Sequence, residues 1–165
     1  MRIALIGAHP TSRLGAPFKD NDWTIWACSE RNMGVLPRAD TWFELHDPPG
    51  SDKYVQRWLR LQPSLIVRTQ QVQQILPHAS LYPEADMRER FGPFFFTSSV
   101  AYMLALAVSK LPEEIALWGV GMHTGQEYEY QRPGCHYFVQ RARDAGIKVT
   151  VPRNSTLLEP PEEKW

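Results

Sequence analysis

Six short apolar runs, each breaking off at a small or polar residue, constrain this chain more than any other feature. Ile3–Ile6 stops at Gly7, Trp23–Cys28 at Ser29, and Thr41–Leu45 at His46-Asp47-Pro48-Pro49-Gly50; Leu65–Val67, Ile115–Val120 and Ile147–Val151 complete the set. Continuous apolar runs of this length are the pattern of strands buried on both faces. Helix-patterned segments lie between several of them. Ser51–Leu61 is expected to place Tyr54, Val55, Trp58, Leu59 and Leu61 on one broad face, with Ser51 as N-cap. Glu84–Phe91 reads as a short charged helix closed by Gly92-Pro93. Ser98–Lys110 is apolar nearly all round, so it is expected to be buried against a sheet. A polar loop from Met122 to Pro133 then leads into an expected helix over Gly134–Ala145, with Gly146 as its C-cap. Strands joined through helices rather than tight turns require crossover connections. The expected fold is therefore an open, mainly parallel α/β sheet flanked by helices.

At 165 residues, the chain has the length of one domain with its own core. Residues 1–165 read as a single domain, with the proline- and glutamate-rich tail from Leu157 to Trp165 peripheral. Lys and Arg total 18, as do Asp and Glu, for a net charge of zero. A protein built mainly to grip nucleic-acid backbone needs a basic excess, so nucleic acid is not expected as the main partner. The two cysteines, Cys28 and Cys135, form neither a disulfide scaffold nor a zinc-site spacing, and no metal site is read from the chain. No run approaches the ~20 apolar residues of a membrane span, and a cytoplasmic location is the expectation.

In open parallel sheets, ligands bind beyond the carboxyl ends of the strands. The residues at those ends are chemically rich. The first strand is followed by Gly7, His9, Thr11 and Ser12, the second by Ser29 and Asn32, the third by His46 and Asp47, and the fifth run by a loop containing His123. Gly7-Ala8-His9-Pro10-Thr11-Ser12 departs from the dinucleotide fingerprint, and no Walker lysine is present. A small residue here still lets backbone N–H groups approach a phosphate, and the Thr11 and Ser12 hydroxyls add donors. Thr97-Ser98-Ser99 brings three hydroxyls to the start of the most apolar helix, a suitable place for an anion or a ribose. His46-Asp47 has the composition of a base with an orienting carboxylate, although adjacent residues in extended chain point apart. In the later loop, Tyr128 is placed to stack on a base and Arg132 to neutralise a phosphate.

Thr97-Ser98-Ser99-Val100 with its alanine-rich helix, Glu114 to Val120, and the Gly7-to-Thr11 turn resemble segments of a Rossmann-like superfamily. So do Ile147 to Pro152 and the exit Asn154 to Leu158. That superfamily includes bacterial CMP-sialic-acid-dependent sialyltransferases and 6-hydroxymethylpterin diphosphokinase-like proteins. The stretch Glu127 to Phe138 is also similar to small phage and prophage proteins. The resemblance implies a nucleotide or nucleotide-sugar ligand, with Ser29 at a nucleotide-holding position and His136 as a base. It departs from the sialyltransferase pattern at Ala8, Ser29, Ser99 and Gly121, which stand where asparagine, asparagine, glycine and aspartate would be. Phosphotransfer of the pterin diphosphokinase kind, which would want acidic magnesium ligands and finds only Asp47 well placed, ranks last of three expected functions; two lead as alternatives. One is a transferase using a nucleotide-activated donor. The other is non-catalytic binding or sequestration of a nucleotide. A homo-oligomer is compatible with both.

Overall fold

The computed structural model of the chain describes residues 1–47, 52–122 and 126–158, with backbone alone for 126–128. Seven strands form one sheet: β1 (Arg2–Ile6), β2 (Trp23–Cys28), β3 (Thr41–Glu44), β4 (Leu65–Val67), β5 (Ser80–Leu81), β6 (Glu114–Trp118) and β7 (Lys148–Thr150). Their order is β5-β4-β3-β2-β1-β6-β7, and every neighbouring pair is parallel. The chain is a Rossmann-like open sheet flanked by helices.

The pleat sorts side chains to two cores. Ile3, Leu5, Trp26, Cys28, Phe43, Ile115 and Leu117 pack on one face, with α3 (Glu84–Phe91), α4 (Ser99–Ser109) and α5 (Gln126–Asp144). Ala4, Ile6, Ile25, Ala27, Trp42, Leu65 and Val67 pack on the other, with α1 (Lys53–Arg60) and α2 (Gln70–Ile75). Both faces are covered, which explains why these strands read as unbroken apolar runs. Residues 101–108 of α4 are all buried, as its composition predicts.

Several boundaries differ from expectation for physical reasons. The β6 strand stops at Trp118, because Gly119 adopts a left-handed conformation (φ +65°) that ends the extended run before Gly121. Asp52 caps α1, its Oδ1 accepting from the Tyr54 N–H at 2.8 Å; Ser51 lies outside the described residues. Only Val55 and Leu59 of that helix are fully buried, while Tyr54 and Leu61 are exposed. The fifth strand and α2 carried no readable signal, since one is two exposed residues and the other has one buried residue among glutamines.

The expected polar loop before Gly134 is largely helix, running through Pro133. Tertiary contacts support that turn. Thr97 Oγ1 donates to the Gln131 carbonyl at 3.0 Å. Gly134 lies flush against the Phe95 carbonyl and Thr97 Oγ1, where a Cβ would have no room. Leu157, expected in a peripheral tail, is fully buried, whereas 159–165 lie outside the described residues. Among the described residues, no helix is long and apolar enough to cross a membrane.

Candidate functional site

The chain progresses outward from β1 through β2, β3, β4 and β5, then returns to place β6 and β7 on the opposite side of β1. The β1/β6 boundary is therefore the topological switch point, where the loops leaving two neighbouring strands diverge and open a crevice. Register determines what meets there. Ile6 pairs with Ala27 and with Trp118, and Cys28 pairs with Phe43. Phe43, Cys28, Gly7 and Gly119 thus stand in one row across the carboxyl end of the sheet. All four line a cleft of about 260 Å³, together with Ala8, His9, Pro10, Ser29, Arg31, His46, Ser98, Ser99, Val100, Val120, Gly121, Met122 and Gln131. Its volume lies just below the roughly 300–1,000 Å³ of drug-sized ligand clefts, so it admits a small molecule.

The floor is made by close backbone approach. Gly7 N–H donates to the Trp118 carbonyl and His9 N–H to the Gly119 carbonyl, both at 2.8 Å, so the β1 loop remains paired to the end of β6. A Cβ on Gly7 would come within 2.5 Å of the Gly119 carbonyl oxygen. Glycine is required here by space. Ser29 has φ +81° with no glycine to relieve it. Its hydroxyl accepts from Arg31 N–H at 3.4 Å, and the strained turn holds both residues against the cleft.

The start of α4 supplies another part of the lining. Ser98 Oγ accepts the Ala101 N–H at 3.1 Å, which satisfies one of the orphan donors of the first turn. The N–H groups of Ser99 and Val100 are not taken up by that cap, and both residues line the cleft. Arg31 lines the same cleft, so an anion there would meet helix-end donors and a cation.

Of the residues expected to contact a ligand, Gly7, His9, Ser29, His46, Ser98 and Ser99 line the cleft. Others act as struts. Ser12 Oγ accepts the Gly119 N–H at 2.8 Å, and Thr11 gives its carbonyl to Asn154 Nδ2 at 3.0 Å. Asn32, 1% exposed, donates from Nδ2 to the Gly7 carbonyl at 2.9 Å and to the Cys28 carbonyl at 2.8 Å, tying two strand ends together. Thr97 holds α5, as described above. Arg132 is buried and donates to the Thr156 carbonyl at 3.3 Å, away from the cleft lining.

His136 is also absent from that lining. Its Nε2 faces the Leu157 carbonyl, and a carbonyl only accepts, so this nitrogen carries its proton. Asp47 is exposed and makes no hydrogen bond among the described residues. The carboxylate that meets His46 is Glu44, at 2.7 Å from Nδ1. His123 and the Tyr128 side chain lie outside the described residues.

Sequence reasoning missed three groups: Arg31, Gln131 and Glu44. Arg31 sits in the same strand-end loop as Ser29, and Glu44 precedes His46 by the strand's own period of two. Gln131 left no signal, because its stretch read as loop. Cys28 lines the cleft but is no nucleophile. Burial, reinforced by the Glu44 carboxylate, pushes its thiol up to about 12.

The fold and the cleft define a Rossmann-like α/β protein with a small cleft at its switch point. Among solved structures, the chain is similar to the sialyltransferase CstII from Campylobacter jejuni in complex with a substrate analogue, cytidine-5'-monophosphate. The TM-score is 0.65 at 14% sequence identity, covering 98% of this chain and 84% of that one. The same enzyme in complex with CMP-3FNeuAc gives a TM-score of 0.69 at the same identity and coverage. That likeness establishes a sialyltransferase-like fold. No protein-family model matches the sequence, and no curated protein does.

Proposed function

We propose that the cleft binds a cytidine nucleotide or its sugar conjugate, and that the chain is a transferase using such a nucleotide-activated donor. The observation that carries this reading is the site's location. A small cleft opens at the β1/β6 switch point, with Ser99, Val100 and Arg31 in its lining. The phosphate sits against that lining, where helix-end donors and Arg31 offset its charge and stabilise a departing phosphate. Gly7 to Pro10 admit the ligand close to backbone, and Ser29 donates to it from the strained turn. The structural neighbours, solved with cytidine-5'-monophosphate and CMP-3FNeuAc, support the choice of base and donor class.

A second reading, binding without transfer, is favoured by one observation. The histidine whose resemblance pointed to a base, His136, is occupied by the Leu157 carbonyl. Calorimetry and thermal melting against CMP, UMP, AMP, GMP and CMP-N-acetylneuraminic acid test the shared premise. A ligand at 100 times its Kd stabilises by about 2.7 kcal/mol. CMP and its sugar conjugate are expected to raise the melting temperature more than the other nucleotides. If no nucleotide binds, both readings fail; binding without release of CMP from the conjugate leaves only the second.

A further inference from the structure

The carboxyl end of β3 carries a pair that no step above uses. The pleat brings residues two apart to one side, and Glu44 and His46 are two apart. Glu44 is buried, 4% exposed. Its Oε1 accepts the His46 backbone N–H at 3.0 Å and lies 2.7 Å from the His46 Nδ1. An ionised carboxylate only accepts, so Nδ1 carries the hydrogen and the neutral ring holds its lone pair on Nε2. Among the described residues, Nε2 has no hydrogen-bond partner, and the ring lines the cleft beside Ser29 and Arg31. A buried carboxylate that orients a histidine at the wall of a ligand cleft is the arrangement of a general base and its positioning residue.

We propose that His46 is the acid–base residue of this cleft, with Glu44 as its positioning residue, acting on the hydroxyl of the acceptor. The inference rests on the nucleotide-donor reading above. In the step, the acceptor oxygen forms a bond to the anomeric carbon of the bound nucleotide sugar. The bond from that carbon to the phosphate oxygen breaks, and its electron pair leaves with the nucleoside monophosphate. The acceptor's proton passes to His46 Nε2. The leaving phosphate remains at the start of α4, which lines the same cleft.

The surroundings bias the ring toward holding that proton. The Glu44 hydrogen bond raises the His46 pKa, partial burial opposes it, and the charges of Glu44 and Glu30 add to the rise. Arg31, His9 and Cys28 in the same lining, and Asp47 next in the chain, are the other titratable or charged groups at this part of the cleft. A base is active when neutral, so turnover rises with pH through the His46 pKa. Weakening the Glu44 contact moves that rise to lower pH.

The test uses CMP-N-acetylneuraminic acid as donor and water as acceptor, with CMP release followed chromatographically from pH 5 to 9. Histidine ring resonances are titrated by NMR without nucleotide, and CMP affinity is measured by calorimetry. His46→Gln is expected to lower turnover by roughly 10²–10⁴-fold while CMP affinity stays within about threefold. Glu44→Gln is expected to shift both the His46 NMR titration and the rising limb of kcat/KM to lower pH. His46→Asn and circular dichroism guard against a folding defect in any one variant. Turnover of His46→Gln within about threefold of the parent overturns the proposal, as does an unshifted Glu44→Gln profile. CMP binding with no release from the donor overturns this inference and leaves nucleotide binding standing. Absence of CMP binding overturns both.

Discussion

Asn32→Ala tests whether the cleft floor depends on one buried amide. In the folded chain, Asn32 Nδ2 donates to two carbonyls at the ends of different strands, Gly7 at 2.9 Å and Cys28 at 2.8 Å. Arg13 Nη1 approaches its Oδ1 at 3.3 Å, but that guanidinium also donates to the Arg31 carbonyl at 2.9 Å and is not orphaned by the change. The loss is therefore two carbonyls left without their donors, at ~1–3 kcal/mol each. Both bonds are buried, so bulk water does not replace the lost donor at either carbonyl. The sum is about 2–6 kcal/mol. For a domain of this size, each kcal/mol shifts the melting temperature by roughly 2–4 °C, giving about 4–24 °C in all.

Urea unfolding followed by circular dichroism is the assay, with a reduced midpoint and an unchanged m value expected. Asn32→Asp sharpens it. A carboxylate facing two carbonyls has its pKa raised, so this variant gains stability relative to the parent as pH falls through that pKa. The reasoning is refuted if Asn32→Ala lies within about 0.5 kcal/mol of the parent, or if Asn32→Asp shows no pH dependence beyond the parent's.

Two further outcomes follow from the same floor. Gly7→Ala forces a Cβ to within 2.5 Å of the Gly119 carbonyl oxygen, a backbone atom of the adjoining strand end that cannot rotate away. A cost of ~1–3 kcal/mol by denaturant titration is expected, with weaker CMP binding by calorimetry, since both residues line the cleft. The thiols of Cys28 and Cys135 are raised by burial to about 12 and about 11, the Cys28 rise aided by Glu44 and the Cys135 rise opposed by the Ser98 hydroxyl. At pH 8, Ellman's reagent is expected to label neither in the folded protein and both in urea; rapid stoichiometric labelling of the native chain would contradict this.

The rim of the cleft was largely legible in the sequence, but the division of labour among its residues was not. Gly7, Ser29, His46 and Ser99 could be named because each follows a recognisable strand or opens a recognisable helix. Ser12, Asn32 and Thr97 have the same polar chemistry and looked equally suited to a ligand, yet they hold the frame. Their partners lie far away along the chain: Gly119 is 107 residues from Ser12, and Gln131 is 34 from Thr97. Whether a hydroxyl meets a ligand or a backbone N–H depends on which loop folds over it. Sequence spacing does not encode that choice.

What the amino-acid order determined by itself was local. Apolar runs too short for helices, apolar all round and separated by helical patterns, made a parallel sheet covered on both faces the consistent outcome. Gln70–Ile75 and Ser80–Leu81 escaped because short polar or exposed elements have no periodicity to read. Only the tertiary structure decided that β6 inserts beside β1 and creates the switch point. It also turned His136 toward Leu157 and paired His46 with buried Glu44 rather than its neighbour Asp47. The physical reason is shared by all three. A buried polar group must find a partner, and which partner is within reach depends on how distant strands and loops pack in space.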